Sequence, residues 1–296
     1  MSILAEDRRR GLVRFKTMML IDSHTHLFSP AQRAERAEIA SSEPAFAEMY
    51  SDPAAAMATA EELQAAIDGA GMDRAVAAGF AFDSAAEIGR QNEYLLGCRG
   101  ARVSVLATVN PGNPGWEAGA RNAVKAGAVG FGELRPHNQG WEPLGEEGRA
   151  LCALAAELDV VLLWHASEPV GHLYSGKAGG IMSAELIEVA LEFPTVRMIG
   201  AHLGAGASFF LQMPEVRRSI ERLYFDTSAS SFLYDGLSVA RVVEVAGTER
   251  VLFGSDFPLQ SPKRQIERLR SSLPTEAQYA VFGHNAATIF PETKDD

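Results

Sequence analysis

The sequence predicts one α/β domain, a (β/α)₈ barrel, on three observations. Short apolar runs alternate along the chain with segments of helical periodicity. Eight strand candidates can be counted, and a helical candidate follows each of them. Continuous apolar strands of this kind indicate a parallel sheet covered by helices, and 296 residues suit a single barrel domain. A doubly wound sheet is the alternative, but no Gly-x-Gly-x-x-Gly follows the first strand.

The first half of the chain supplies four strands, predicted at residues 19–22, 74–80, 103–109 and 128–134. The region after the first strand is polar and Ala-rich, with Pro30, Pro44 and Pro53, and is predicted to be a long loop carrying a short helix. Helices are then predicted at residues 60–69, 84–96 and 116–126. Gly69 and Gly127 end the first and third of these helices.

The second half repeats the pattern with strands predicted at residues 160–164, 196–201, 223–226 and 251–254. The fifth strand is an almost unbroken apolar run. Helices are predicted at residues 145–158, 183–192, 215–222, 237–246, 262–273 and 276–290. We assign residues 1–16 to an N-terminal arm and residues 17–296 to the barrel, because no linker divides the rest of the chain.

The composition limits the classes of molecule that the protein is expected to bind. The net charge of −11 and the pI of about 5.2 argue against nucleic acid or an anionic membrane bound through a basic surface. Cys98 and Cys152 form neither a disulfide framework nor a zinc-type pair, so a cytoplasmic location is expected. No segment is long and apolar enough to span a membrane. A small-molecule substrate is the expected partner, and a homodimer is expected because exposed barrel helices often pair.

Polar residues that can bind metals stand at the ends of five predicted strands. They are His24 and His26, Glu133, His165, His202 and Asp256. The carboxyl ends of barrel strands meet at one mouth, where active sites lie. Imidazoles and carboxylates are ligands for ions such as Zn²⁺. For each residue a structural role is the alternative: a buried histidine bonded to backbone, an ion pair between Glu133 and Arg135, or Asp256 as a helix N-cap.

The ordered set of motifs resembles the amidohydrolase superfamily, and most closely its amidohydrolase-related branch. That branch contains metal-dependent barrel hydrolases and enzymes similar to aminocarboxymuconate-semialdehyde decarboxylase. The matching stretches are IDSHTH at 21–26, GFGE at 130–133, LWH at 163–165, GAHLG at 200–204, FDTS at 225–228, LFGSDFP at 252–258 and HNAA at 284–287.

The resemblance implies roles for the strand-end residues. His24, His26, His165 and Asp256 would be metal ligands, with Asp256 also the general base. His202 would polarise the substrate beside one ion or bind a second ion. Glu133 occupies a position that bridges two ions in some branches, and decarboxylase-like members generally lack a carboxylate there.

Substrate contacts are predicted in the loops that follow strands four and five. Arg135 could bind a substrate carboxylate in a bidentate manner or could be a solvated loop residue. The long loop at 165–180 contains His172, Tyr174 and Lys177, and such loops often shape substrate pockets.

The function predicted first is metal-dependent hydrolysis, in which a metal-activated water attacks an amide, lactone or ester bond of a small molecule. Zn²⁺ is the expected cofactor, as one or two ions, with Mn²⁺ or Fe²⁺ as alternatives. A nonoxidative decarboxylase that uses the same site is the alternative enzyme. A metal-binding protein without catalysis is the alternative from another class.

Overall fold

The computed structural model describes residues 18–290 and confirms the (β/α)₈ barrel. Within those residues, eight parallel strands hydrogen-bond in chain order. They are β1 (Ile21–His26), β2 (Arg74–Ala78), β3 (Val103–Ala107), β4 (Gly130–Leu134), β5 (Val161–Trp164), β6 (Arg197–Gly200), β7 (Leu223–Asp226) and β8 (Val251–Leu252). The amide of Ser23 donates to the Phe253 carbonyl at 2.8 Å, and the Asp256 amide donates to the His24 carbonyl at 3.0 Å. These bonds bring the first and last strands together, so the barrel is nearly closed.

Helices connect the strands and cover the sheet. In the described part of the chain they are α1 (Pro30–Ala34), α2 (Arg36–Ser42), α3 (Pro44–Tyr50), α4 (Ala60–Ala70), α5 (Ala85–Gly97), α6 (Trp116–Lys125), α7 (Glu146–Leu158), α8 (Ser183–Glu192), α9 (Pro214–Ser219), α10 (Ser230–Leu233), α11 (Ser238–Ala246), α12 (Pro262–Ser272), α13 (Thr275–Tyr279) and α14 (Asn285–Ile289). Two 3₁₀ segments (His202–Gln212, Thr248–Arg250) and a π-helical turn (Ala280–His284) complete the set. None of these helices has the length and apolar composition needed to cross a bilayer.

Alternate side chains along a strand pack into two different hydrophobic clusters, as β5 shows. Val161 and Leu163 of β5 belong to the cluster that fills the barrel interior. Leu162 and Trp164 belong to a larger cluster between the strands and the helices. Because successive strand residues point to opposite faces, a continuous apolar run is what a strand buried on both faces requires. A third cluster, defined by Phe28, Ile39, Phe46, Met57, Phe80 and Phe82, holds helices α2 and α3 beside the mouth of the barrel.

Several predicted boundaries were wrong. The first strand does not stop at residue 22, because β1 pairs with β2 as far as His26 and Ala78, with an irregularity between Asp22 and Thr25. The region after it carries three short helices rather than one. The last helix is interrupted by the π-helical turn at residues 280–284. The predicted arm at residues 1–16 lies outside the described residues.

Candidate metal centre

Six side chains with metal-ligating atoms converge at the mouth of the barrel. They form two groups, and in each group the ligand atoms lie within 4.8 Å of one another. We call the trio from β1 and the end of β8 the first group: His24, His26 and Asp256. We call the trio from the ends of β4, β5 and β6 the second group: Glu133, His165 and His202. The fold therefore brings together all the strand-end residues that the sequence singled out.

The backbone at these positions is unusual. His202 and Asp256 both adopt left-handed conformations, with φ of 56° and 62°. Such conformations cost free energy in residues other than glycine and cluster at functional sites. A Cβ on Gly254 would lie 2.9 Å from the His24 Cβ, so only glycine lets the end of β8 approach His24 this closely. Helix α12 begins at Pro262 with Ser261 as its N-cap, which excludes the alternative of Asp256 as that cap.

In the first group two imidazoles direct their Nε2 atoms at each other. The His24 Nδ1 atom donates to the Asp226 carboxylate at 2.8 Å, and the His26 Nδ1 atom lies 3.3 Å from the Gly79 carbonyl, which can only accept. In the neutral rings, the Nε2 atoms then carry lone pairs, and they lie only 2.9 Å apart. Two facing lone pairs are stable only with a positive charge on or between the rings. Ligating histidines are oriented in this way, with the other ring nitrogen bonded to an oxygen.

In the second group, Glu133 contacts both histidines. The His165 Nε2 atom donates to the Gly176 carbonyl at 2.9 Å, and its Nδ1 atom lies 3.0 Å from Glu133 Oε1. The His202 Nδ1 atom contacts the Ser228 carbonyl and hydroxyl, so its Nε2 atom faces the centre, 3.5 Å from Glu133 Oε1. No ion pair joins Glu133 to Arg135 within residues 18–290, in contrast to the alternative that the sequence left open.

Glu133 also reaches the first group. Its Oε1 atom lies 3.6 Å from the His24 Nε2 atom, and its Oε2 atom lies 3.8 Å from the His26 Nε2 atom. One carboxylate is thus within 4 Å of all four histidines.

The charges of the centre are strongly coupled. Burial lowers the pKa of His24, but the neighbouring carboxylates, Asp226 foremost, outweigh it and raise the pKa to about 10. Burial likewise lowers the pKa of His202, and Glu133 leads the groups that raise it to about 9. Burial raises the pKa of Asp256, yet the surrounding histidines bring it down to about 2. The carboxylates therefore attract positive charge, which a divalent ion can supply in place of protons.

The first group fits such an ion. The Asp256 Oδ1 atom lies 3.4 Å from His26 Nε2 and 3.8 Å from His24 Nε2. Together with the 2.9 Å between the two Nε2 atoms, these separations lie around the values of about 3.0 Å and about 3.4 Å expected for ligands about 2.1 Å from an octahedral or a tetrahedral ion. Two imidazoles and one carboxylate accept Zn²⁺, Mn²⁺ or Fe²⁺.

Two carboxylates beside the centre lie outside the predicted set of metal ligands. Asp226, at the end of β7, accepts hydrogen bonds from His24 Nδ1 and from the amide of His202, at 2.8 and 3.1 Å. It thereby orients one histidine of each group, and its position at a strand end was the signal that could have found it. Asp22 accepts from the amides of His24 and Ser255, which ties β1 to the end of β8.

A cavity of about 200 Å³ opens onto the centre. Its floor carries His26, Glu133, His165, His202 and Asp256, and its walls are mostly apolar and aromatic. Arg135 lies in the wall and is 2 % exposed. A neighbouring cavity of about 340 Å³ shares three of the floor residues.

The loop after β5 covers this second cavity. His172 and Tyr174 line it, and the Tyr174 hydroxyl bonds Glu168. Lys177 lines a separate cleft, where its ammonium group donates to the carbonyls of Val170 and His172 in its own loop. Of the predicted substrate contacts, Arg135, His172 and Tyr174 therefore face cavities that adjoin the centre.

Comparison with known proteins identifies one family for this chain. The amidohydrolase family model matches residues 21–291. No curated protein sequence matches the chain. The structure is similar to 5-carboxyvanillate decarboxylase from Sphingomonas paucimobilis, with a TM-score of 0.74 at 18 % identity, covering 94 % of this chain and 100 % of the other.

Two further solved structures extend this likeness. The 5-carboxyvanillate decarboxylase from Novosphingobium aromaticivorans, in a complex with manganese, gives a TM-score of 0.70 at 15 % identity, over 92 % of this chain and 96 % of that one. The 2,6-dihydroxybenzoate decarboxylase from Rhizobium gives a TM-score of 0.65 at 13 % identity, covering 92 % of this chain and 98 % of the other. At these identities the likeness establishes the fold.

Proposed function

The chain belongs to the amidohydrolase family, and on that premise we propose that it is a metal-dependent, nonoxidative decarboxylase of a small aromatic or unsaturated carboxylic acid. One observation carries the proposal. The cavity places His24, His26 and Asp256, which can hold a cation, beside a second trio in which the His202 Nε2 atom faces the cavity, 3.1 Å from His165 Nδ1 and 3.5 Å from Glu133 Oε1. Decarboxylation needs both a positive charge for the acid and a proton for the carbon.

The reaction breaks the bond between the carboxylate and the carbon that bears it. Carbon dioxide leaves, the electron pair stays on that carbon, and a proton takes the place of the carboxylate. His202 is the proposed proton donor, because Ser228 holds its Nδ1 atom and leaves Nε2 facing the cavity. Glu133, 3.5 Å from that atom, stabilises the charged imidazolium.

His24, His26 and Asp256 are the proposed ligands of a divalent ion. When bound, the ion supplies a fixed positive charge that holds the acid and stabilises developing negative charge. Zn²⁺ was predicted from the ligand types, and the structural neighbour with manganese makes Mn²⁺ an equal candidate.

The neighbours support decarboxylation over the hydrolysis that the sequence predicted first. Three solved structures with this fold are named decarboxylases of substituted benzoic acids. A cavity of about 200 Å³ with aromatic walls suits such a ring, since an engineered apolar cavity of about 150 Å³ takes up benzene.

Hydrolysis of an amide, lactone or ester remains the second candidate, and Glu133 favours it. A carboxylate within 4 Å of four histidines is suitably placed to bridge two ions. A site with two ions would occupy His202 as a ligand and leave it no proton to donate.

The test uses purified protein loaded with Mn²⁺ or with Zn²⁺. It is incubated in D₂O with hydroxybenzoic acids, including 5-carboxyvanillate and 2,6-dihydroxybenzoate, and separately with lactones, esters and amides. Carbon dioxide released in equal amount to a product carrying one deuterium at the former carboxyl position would support the proposal. Hydrolysis without carbon dioxide release would overturn it in favour of the second candidate. Asp256→Asn, which removes a proposed ligand charge, should abolish either activity.

A further inference from the structure

Two cavities meet at the metal centre. The first cavity measures about 200 Å³, and Tyr50 and Phe80 line it alone. The second cavity measures about 340 Å³. Six residues border both cavities: His165, His202, Asp256, Met49, Ser175 and Leu259. Since three of these residues belong to the centre, a ligand held there can extend into either cavity.

The boundary between the cavities includes a flexible side chain. Met49, from α3, lies against Gly176, in the loop after β5. Gly176 has a φ of 87°, and a Cβ on it would lie 3.0 Å from the Cε and Sδ atoms of Met49. Glycine therefore leaves room for the thioether at this place. A methionine has three rotatable bonds, so this boundary can adapt to a ligand that occupies both cavities.

The wall that belongs to the second cavity alone is apolar and aromatic. Ala229, Phe232 and Leu233, in and just before α10, form one part of it. His172 and Tyr174, whose ring centroids lie 5.5 Å apart, form another part. Among the residues that the structure describes, no lysine, arginine or glutamate borders this cavity, and the carboxylate there is that of Asp256 at the centre.

The charged groups of the loop after β5 are directed away from the second cavity. Glu168 and Lys177 line a separate cleft. The Glu168 carboxylate accepts hydrogen bonds from the Tyr174 hydroxyl, at 3.2 Å, and from the Tyr234 hydroxyl. The Lys177 ammonium group donates to two carbonyls of its own loop. A charged substituent in the second cavity would lose its hydration and gain no ionic partner, so an apolar group fits best.

We propose that the second cavity binds an apolar ring of the substrate, so that the two cavities together hold a two-ring carboxylic acid. This inference rests on the proposed function and deepens it by naming the substrate class. A cavity of about 150 Å³ takes up benzene, so each cavity has room for one ring. Because both cavities begin at the centre, the second ring is attached near the carboxylate, in the ortho or meta position. A ring in the para position would extend away from the centre along the first cavity.

Three carboxylate probes test this arrangement without turnover. Isothermal titration calorimetry of the metal-loaded protein compares benzoate, biphenyl-3-carboxylate and biphenyl-4-carboxylate. The wild type should bind the 3-isomer at least about 10-fold more tightly than benzoate, the expected gain from burying one more ring. The 4-isomer, whose second ring points away from the boundary of the two cavities, should gain much less.

Phe232→Ala is the variant that reports on the second cavity. Phe232 is 58 % exposed, so its truncation removes part of the cavity wall without opening the core. The preference for the 3-isomer should fall several-fold, while the affinity for benzoate stays the same. Phe209→Ala is the matched control, because Phe209 is 74 % exposed and lines neither cavity. It should leave the preference intact.

The outcomes separate this inference from the proposed function. Equal affinity of the wild type for all three probes would refute the ring site. An equal loss in Phe232→Ala and Phe209→Ala, or a 4-isomer that binds as tightly as the 3-isomer, would refute it as well. A preference for the 3-isomer in a protein that releases no carbon dioxide from any acid would uphold the ring site and refute the decarboxylase. Carbon dioxide release without any preference would do the reverse.

Discussion

The two halves of the centre use similar residue types but are held differently. In the first group, the closest approach of Asp256 to a histidine nitrogen is 3.4 Å, the spacing of two ligands around one ion. In the second group, Glu133 and His165 lie 3.0 Å apart, at hydrogen-bonding distance. The carboxylate thus lies farther from the imidazoles in the first group than in the second, where Glu133 is also 3.5 Å from the His202 Nε2 atom that faces the cavity. Under the proposed function the first group would hold one ion and His202 of the second group would hold the proton, whereas a hydrolase with two ions would use both groups as ligands.

The largest effect should come from removing a ligand of the first group. His26→Ala removes one of the two facing Nε2 atoms, so an ion held by the first group, as proposed, would lose a direct ligand. We expect metal affinity to fall by more than about 100-fold, the upper end of what changes outside the ligand shell cause. Elemental analysis after dialysis measures the metal content. His137→Ala, in an exposed group with Glu142 and Glu185, is the control. An unchanged metal content in His26→Ala would assign the ion to the second group instead.

Glu133→Gln is the change that best distinguishes the two halves. If the second group holds a proton, both the wild type and the variant should contain one ion per chain. Turnover should fall by about 10²–10⁴-fold, because His202 loses the carboxylate that stabilises its charged form. Two ions in the wild type and one in the variant would mean that the second group binds an ion rather than a proton. Hydrolysis would then be the favoured function. Glu185→Gln, on the outside of the barrel, serves as the matched control.

Asp226→Asn should have a moderate effect on the first group. Asparagine keeps an oxygen for the His24 Nδ1 donor but removes the charge that raises the pKa of that ring. Metal affinity should fall by about 10- to 100-fold, as for other carboxylates that orient a ligating histidine. A competition titration with a chelating dye measures it. Asp235→Asn, at an exposed ion pair with Arg241, should change nothing. Equal metal affinity in Asp226→Asn and Asp235→Asn would show that the orientation of His24 does not depend on the charge of Asp226.

The smallest effect concerns the backbone under the second group. His202 begins a left-handed stretch that includes Leu203 and Ala205, with φ of 59° and 50°. Ala205→Gly should stabilise the protein by about 1 kcal/mol, because glycine adopts this conformation without steric cost. Urea denaturation monitors the free energy of unfolding. Ala118→Gly, on the exposed face of α6, should destabilise the fold by about 1 kcal/mol. Destabilisation by both changes would mean that the turn carries no strain at Ala205.

The sequence by itself determined the barrel and the six residues of the centre. Apolar runs alternate locally with helical patterns, and the ligand-type residues directly follow those runs, as His165 follows β5. Both signals depend only on neighbours in the chain. The order of the motifs also identified the amidohydrolase family, which the match over residues 21–291 confirms.

Tertiary structure alone decided how those residues work together. Which imidazole nitrogen faces the centre depends on partners far along the chain, such as Asp226 for His24 and Ser228 for His202. The register in which β1 pairs with β2 sets the direction of its side chains, and a shift of one residue would turn them to the other face. Tyr50 reaches the cavity because α3 packs on Phe28, Phe80 and Phe82, in the loops that follow β1 and β2. Such contacts between residues remote in sequence leave no local pattern, so they become visible only once the chain is folded.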